Sequence, residues 1–469
     1  MHAPSHTYGT GTAAALAALA AQLPPHALVT ESDVLDAHRT DHAPFCPSGS
    51  PAALVRAHST EEVSLVLRTA DEHRIPVVPQ GARTGLAGGA NAVDGCILLS
   101  VERMDRILEI DTTDQVAVVE AGVVNAVFSR AVAEHGLFYP PDPSSWEMST
   151  LGGNAATNAG GLCCVKYGVT GDFVRGLTVV LADGTVLRTG RRTAKGVAGY
   201  DLTHLFVGSE GTLGVITEVV LALRPAAQTP LTAVAFFPTP AEACAAVADY
   251  MADGTRPSLL ELMDRPTMDV VSAYRDLGFP PEAGAVLIAQ SDRGDQAAED
   301  LKRFAHVAQT HRGDAVVADD PAEAEMLLEA RRLVGIATQS LGAYLAEDVC
   351  VPRRVLADLV DGVADIARRH RVLITCVAHA GDGNLHPHVI FDPARTDEVE
   401  RAQRAFGAVM DLGLALGGTI TGEHGVGVLK RDWLTKELGP AGLRVHHSIK
   451  RALDPHGILN PGKVLADRV

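Results

Sequence analysis

Three glycine-dense stretches limit what this chain can become, because each calls for backbone that most side chains forbid. The first, "GARTGLAGGA" at 81–90, follows the β-rich "IPVVPQ". The second, "PPDPSSWEMSTLGGNAATNAGG", runs from Pro140 to Gly161 and interleaves its glycines with Ser145, Thr150, Asn154, Thr157 and Asn158. The third, "FVGSEGTLGVITE", spans Phe206 to Glu218 and runs on into a strand-like "EVVLALRP". The first fits neither G-x-G-x-x-G nor a G-K-[ST] loop, so the usual nucleotide fingerprints are not supported. Taken together, the three loops describe an α+β domain that lays a long ligand across backbone amides.

Composition narrows the setting. A chain of 469 residues exceeds one ordinary core, so two or three domains are expected. A formal charge of −17 argues against nucleic acid as a partner. No apolar run reaches the roughly 18 residues of a membrane helix. The N-terminal "TAAALAALAAQL" places Leu16, Leu19 and Leu23 at i, i+3 and i+7, and no Lys or Arg precedes Arg39, so a surface helix is expected rather than a leader. A cytoplasmic protein follows from that reading, with peripheral association at a membrane left open. Seven cysteines without a C-x-x-C pair disfavour a disulfide framework or an iron–sulfur cluster.

The second half has a different rhythm. Strand-like "TAVAFF", "LLELM" and "AVLIAQ" alternate with helical segments, which predicts a ferredoxin-like antiparallel layer. Within it, "VLITCVAHAGDGNLHPHVIF" reads as a hairpin with 381–384 as its loop, pairing Ala380 with Leu385 and His379 with His386. Opposed imidazoles can converge on one ion, and His388 points the same way. The residues alone leave two readings open: a ligand pair, or histidines that bond neighbouring carbonyls. "GGTITGEHGVG" adds adjacent Glu423 and His424 in a glycine-flanked turn after an expected strand. His379, His386 and Glu423 make a two-histidine, one-carboxylate set of the kind used by catalytic Zn²⁺, and also by Mn²⁺ or Fe²⁺.

"PQGARTGLAGG", "PPDPSS…TLGGNAATNAGG", "KYG" at 166–168 and "GSEGTLGVITE" occur in an order that resembles the FAD-linked D-2-hydroxyacid dehydrogenases, the D-lactate, glycolate and D-2-hydroxyglutarate branch of the vanillyl-alcohol-oxidase/p-cresol-methylhydroxylase superfamily. The resemblance spans nearly the whole chain. It implies a two-part FAD-binding domain at 46–225, preceded by a helical segment at 1–45. A substrate-binding cap at 226–430 and a C-terminal return at 431–469 would follow. Gly81, Ala82, Arg83, Thr84 and Gly85 would hold the pyrophosphate. Pro141, Ser145, Thr150, Gly152 and Gly153, then Thr157, Asn158, Gly160 and Gly161, would line the rest. Ile216 would lie near the adenosine half and Asn460, in "LDPHGILNPGKV", near the isoalloxazine. The first loop lacks the histidine often found where flavin is covalent, so non-covalent FAD is implied.

The same resemblance makes His379, His386 and Glu423 metal ligands and His424 the catalytic base. Arg331, aligned through "EDVCVP", would bind the substrate carboxylate, with His388 also at the substrate. A 2-hydroxy acid held on a divalent ion would lose its hydroxyl proton to His424 and a hydride to flavin N5. Where D-2-hydroxyglutarate enzymes carry a lysine, this chain has Ala346, followed by Glu347, and His388 stands where they carry asparagine. A lactate-type monocarboxylate is therefore expected, with glycolate or D-2-hydroxyglutarate as alternatives and a zinc hydrolase as a distant one. Electrons would pass to an external acceptor, a quinone, cytochrome or electron-transfer flavoprotein. A homodimer is left open.

Overall fold

A computed structural model describes residues 10–318 and 321–466. The chain divides into two compact units. The first joins Met1–Ala159, Val169–Ala226 and Glu423–Val469, and the second joins Gly160–Gly168 with Ala227–Gly422.

The first unit is itself built in two parts, as expected. One is a four-stranded sheet in the order Leu28–Val29, Ala53–Arg56, Ile97–Ser100, Val77–Gln80, parallel across its last three strands. The other is a five-stranded antiparallel sheet in the order Ile107–Asp111, Val116–Glu120, Val215–Ala222, Val174–Val180, Val186–Gly190. The parallel strands read as unbroken apolar runs and are buried along nearly their whole length. The helix Thr60–His73 starts at the capping-box sequence "STEE", with the Ser59 hydroxyl accepting the Glu62 N–H at 3.3 Å. The N-terminal helix Thr10–Gln22 packs on it. Leu19 and Leu23 of the expected stripe are buried, as is Ala15, while Leu16 is half-buried.

The C-terminal segment returns to the first unit. Val77 N–H donates to Ile458, and Asn460 N–H donates to Val77, both at 2.8 Å. The long helix Arg431–Leu453 before it breaks at Gly439, where φ is +63°, immediately ahead of Pro440.

The second unit is one eight-stranded antiparallel sheet. Its order is Asp314–Val317, Leu231–Phe237, Ala285–Ser291, Leu259–Asp264, Leu373–His379, Asn384–Phe391, Ala343–Ala346. The short strand Val349–Cys350 also pairs with Asn384–Phe391. One face, carrying Leu259, Met263, Val286, Ile288 and Val377, packs on Met268 and Val271 of the helix Arg265–Tyr274 and on Ala330, Val334 and Ala337 of the helix Pro321–Leu341. At roughly 25 cal/mol per Å² of apolar surface, this packing holds the central strands in place.

Two boundaries depart from the sequence reading. The "KYG" strap, Gly160–Gly168, belongs to the second unit, where Lys166 and the Tyr167 hydroxyl both bond the buried carboxylate of Asp292. Residues 423–430 belong to the first unit, so the "GEHGVG" motif begins where the chain crosses over. The expected strand "GGTIT" reduces to a single bridge between Cys350 and Thr419, because the glycines there give no side chains to pack.

Candidate active site

The hairpin that carries the histidines turns one residue earlier than expected. His379 lies opposite Asn384 and Val377 opposite His386, leaving 380–383 as the loop. Gly383 sets it, with φ of +80° and a position where any Cβ would meet the Val351 carbonyl at 2.1 Å. Because the register differs by two, parity is kept and the two histidines still share a face. They meet diagonally, with ring centroids 4.9 Å apart, and each is only 4% exposed. His388, two residues on, is half-buried against Tyr344 at 5.0 Å and lies directly opposite Ala346.

Glu261 is the residue that sequence reading missed. It lies opposite His379 on the neighbouring strand, and its Oε1 is 2.7 Å from His379 Nδ1. Its other oxygen accepts Arg331 Nε at 2.7 Å. Arg331 comes from the helix Pro321–Leu341, so the candidate carboxylate-binding arginine and a candidate ligand histidine are joined through one carboxylate. Burial pushes the Glu261 carboxyl up, but His379 and Arg331 outweigh it and hold it below its ordinary value. Asp264 fixes the strand: its carboxylate accepts Thr267 N–H at 2.9 Å, capping the next helix, and Cys376 N–H at 3.1 Å on the strand of His379. The available signal was an acid inside the apolar run "LLELMD", which must find partners to be buried.

On the other side of His386, the edge strand is interrupted at Glu347 and Asp348, both fully buried. The gap faces Pro387, which has no N–H to offer the ladder, while its carbonyl accepts Glu347 N–H at 2.9 Å. The Asp348 carboxylate lies 3.8 Å from His386 Nδ1 and accepts Asn384 Nδ2 at 2.8 Å and the Thr421 hydroxyl at 2.6 Å. Gly422 N–H donates to Asp348 at 3.0 Å, and a Cβ on Gly422 would sit 2.0 Å from Asn384 Nδ2. Two buried imidazoles, one held at Nδ1 by a carboxylate, are a donor set that suits a divalent ion.

In the first unit, Glu423 and His424 stand 3.8 Å apart, each about one-seventh exposed at the side chain. The following backbone is clamped by Glu210, whose carboxylate accepts Val426 N–H at 2.7 Å and Gly427 N–H at 2.9 Å. A Cβ on Gly425 would lie 3.0 Å from that carboxylate, and one on Gly427 would lie 2.1 Å from the Ala87 carbonyl. Both glycines have positive φ. Burial raises the Glu210 carboxyl, and the two amides with nearby Lys430 counter it.

The glycine loops converge within this unit. A Cβ on Gly81 would meet Thr150 Oγ1 at 2.4 Å, and one on Gly152 would meet the Ala121 Cβ at 2.4 Å. Thr150 caps the helix Leu151–Thr157, Thr157 bonds back to Gly153, and Asn158 closes the helix in the left-handed region. Arg83 has φ of +56°, and Ala82, Thr84 and Gly85 are half-buried beside it. Pro141 accepts Asn125 Nδ2 at 3.0 Å, and Ser145 begins the turn that leads to Thr150. Buried Arg83 Nη1, Ser149 Oγ and Asn154 Nδ2 have no hydrogen-bond partner in the protein, as groups waiting for a polar ligand would. A flavin nucleotide fits this cradle.

Four other residues expected at the cofactor are all buried. Gly160 and Gly161 are buried in the second unit. Ile216 is in the sheet opposite Val179 and 7% exposed. Asn460 gives its side-chain amide to the carbonyls of Gly89 at 2.9 Å and Glu210 at 2.8 Å, so both donors tie loops together. None of the seven cysteines forms a disulfide among the described residues, and Cys163 and Cys164 are half-buried.

Comparison with known proteins agrees with this architecture. Residues 51–190 match the FAD binding domain family and residues 227–464 the C-terminal domain of FAD linked oxidases. Glycolate oxidase subunit GlcD of Bacillus subtilis is 44% identical over 421 residues, 89% of either chain. D-lactate dehydrogenase of Anaerostipes hadrus is 34% identical over 454 residues, 94% of this chain and 95% of that one. The fold matches substrate-bound p-cresol methylhydroxylase at a TM-score of 0.81 and 18% identity, over 99% of this chain and 98% of that one. With the glycine cradle and both domains accounted for, the chain belongs to the FAD-linked oxidases and is an oxidoreductase of the p-cresol-methylhydroxylase fold.

Proposed function

We propose that this protein is a metal-dependent dehydrogenase of a D-2-hydroxy monocarboxylate of the lactate type. The observation that carries this is the junction at Glu261, which sets a guanidinium beside a buried pair of imidazoles. A guanidinium takes a carboxylate in a planar fork, and the adjacent histidines suit the ion that a neighbouring hydroxyl would meet. Relatives named for glycolate and D-lactate, both 2-hydroxy monocarboxylates, support the substrate class.

In this reading His379, His386 and Glu423, one residue past Gly422, hold a divalent ion, with Zn²⁺ favoured. Gly81 to Gly85 and the Thr150–Asn158 segment hold FAD non-covalently. When bound, the metal lowers the hydroxyl pKa and the flavin accepts the hydride. His424 takes the hydroxyl proton and Arg331 orients the carboxylate. The substrate's third carbon lies toward Ala346, whose methyl offers no charge to a second carboxylate, and buried Glu347 follows it in the chain. The electrons leave to an external acceptor.

Identity to the glycolate oxidase subunit favours a second reading, glycolate. Dye reduction with D- and L-lactate, glycolate and D-2-hydroxyglutarate, with and without chelator, separates them. Chelator-sensitive turnover with kcat/KM highest for D-lactate is expected. Highest kcat/KM for glycolate moves the assignment, and none with any 2-hydroxy acid removes it.

A further inference from the structure

We propose that Glu261 is a positioning residue that makes metal binding and substrate-carboxylate binding depend on one another. The proposal rests on the reading of His379 as a metal ligand and Arg331 as the carboxylate-binding arginine. Its own support is geometric. Glu261 and His379 are cross-strand neighbours in adjacent central strands, and Arg331 reaches them from the helix that covers that face. Each carboxylate oxygen has a separate partner at 2.7 Å. Glu261 is 1% exposed, so water does not replace a lost bond there.

Both bonds have a directional consequence. A carboxylate accepts only, so the His379 proton is placed on Nδ1 and Nε2 is the nitrogen that presents a lone pair. On the other oxygen, Arg331 is bonded through Nε. The guanidinium plane is thereby fixed, and the edge carrying the two Nη groups is the one that can fork onto a substrate carboxylate. A histidine and an arginine 48 residues apart in sequence thus take their orientations from one anion.

Replacing the carboxylate by a carboxamide breaks this arrangement without changing its size. The amide oxygen of Glu261→Gln can accept from His379 or from Arg331, while its NH₂ must face the other. Facing His379, it drives the imidazole to the tautomer protonated at Nε2, which cannot ligate. Facing Arg331, it opposes one donor with another and frees the guanidinium to rotate.

The test is Zn²⁺ affinity of the FAD-loaded apoprotein, measured by competition with a chromophoric chelator and without turnover. Glu261→Gln should bind Zn²⁺ about 10–100-fold more weakly, the usual effect of losing a carboxylate behind a ligand histidine. At saturating Zn²⁺ its kcat should recover while KM stays raised, and bound flavin should be unchanged. Arg331→Lys carries the same test should the glutamine variant not accumulate. It changes the far end of the junction, and should weaken Zn²⁺ severalfold although Arg331 lies outside the proposed ligand set. Zn²⁺ affinity unchanged in both variants overturns the role of Glu261 and leaves the metal site standing. A wild-type protein that binds no Zn²⁺ overturns the site itself, and this role with it.

Discussion

Gly152→Ala tests whether the glycine cradle is dictated by backbone packing. The added Cβ would lie 2.4 Å from Ala121 Cβ, 2.8 Å from the Ala121 carbonyl and 2.9 Å from its Cα. Carbon atoms normally approach to about 3.5–4.0 Å, so more than about 1 Å is missing. Ala121 cannot yield: it is 0% exposed, donates to Thr217 at 2.9 Å and accepts Gly152 N–H at 2.8 Å. The relief open to the chain is outward movement of the helix Leu151–Thr157, which would carry Thr150 away from Gly81. Overpacking of this kind costs about 1–3 kcal/mol. The gain from alanine in a helix returns about 0.5–1 kcal/mol of that. A net loss of about 1–2 kcal/mol lowers FAD affinity roughly tenfold for each 1.4 kcal/mol expressed in the bound state. Gly335→Ala, in the helix Pro321–Leu341, is the control, since nothing lies within 4 Å of its Cβ. The assay is flavin retained through gel filtration, read with the thermal midpoint. Gly152→Ala should lose flavin and stability while Gly335→Ala stays near wild type. Wild-type flavin content and midpoint in Gly152→Ala would refute the packing argument.

His386→Ala should lose Zn²⁺ but keep its flavin spectrum, whereas His424→Ala should keep both and lose about 10²–10⁴ in kcat, as loss of a general base does. Metal content and anaerobic flavin reduction distinguish the two. Ala346→Lys should raise kcat/KM for D-2-hydroxyglutarate relative to D-lactate by about tenfold or more, the worth of roughly 1.4 kcal/mol from one paired carboxylate. Burial pulls Lys463 down to about 8 from its ordinary 10.5. Between those values the unfolded chain binds the proton and the folded chain does not, so this group's contribution to stability rises with pH there, by at most about 1.4 kcal/mol per unit. Denaturant unfolding at pH 8.5 and 9.5 should show that rise in wild type and not in Lys463→Met.

The sequence carried the elements better than their partnerships. Ser59 and Glu62 announced a helix start through local chemistry, and the cap is present. "HAGDGN" announced a hairpin, but placing its turn needed Gly383 against the Val351 carbonyl, a contact 32 residues away. The histidine face survived because a register error of two preserves strand parity. Glu261 escaped because its partners lie 118 and 70 residues along the chain, and only strand order brings them together. The glycines at 422, 425 and 427 were legible as a turn, but the groups they pack against, Asn384, Glu210 and Ala87, were not. Asn460 is placed near the isoalloxazine by resemblance alone, and the carbonyls its amide bonds lie 371 and 250 residues away, beyond the reach of local sequence.

The central claim is that one protein holds both a flavin and a metal-dependent site for a 2-hydroxy acid. Anaerobic mixing of the purified protein with D-lactate, followed at the flavin absorbance, tests it most directly when repeated after dialysis against chelator and again after Zn²⁺ is restored. The account predicts bleaching of the flavin in the first sample, none in the dialysed sample although its flavin remains bound, and recovery in the third. Bleaching that proceeds equally after chelation, or a flavin that no 2-hydroxy acid reduces, would contradict it.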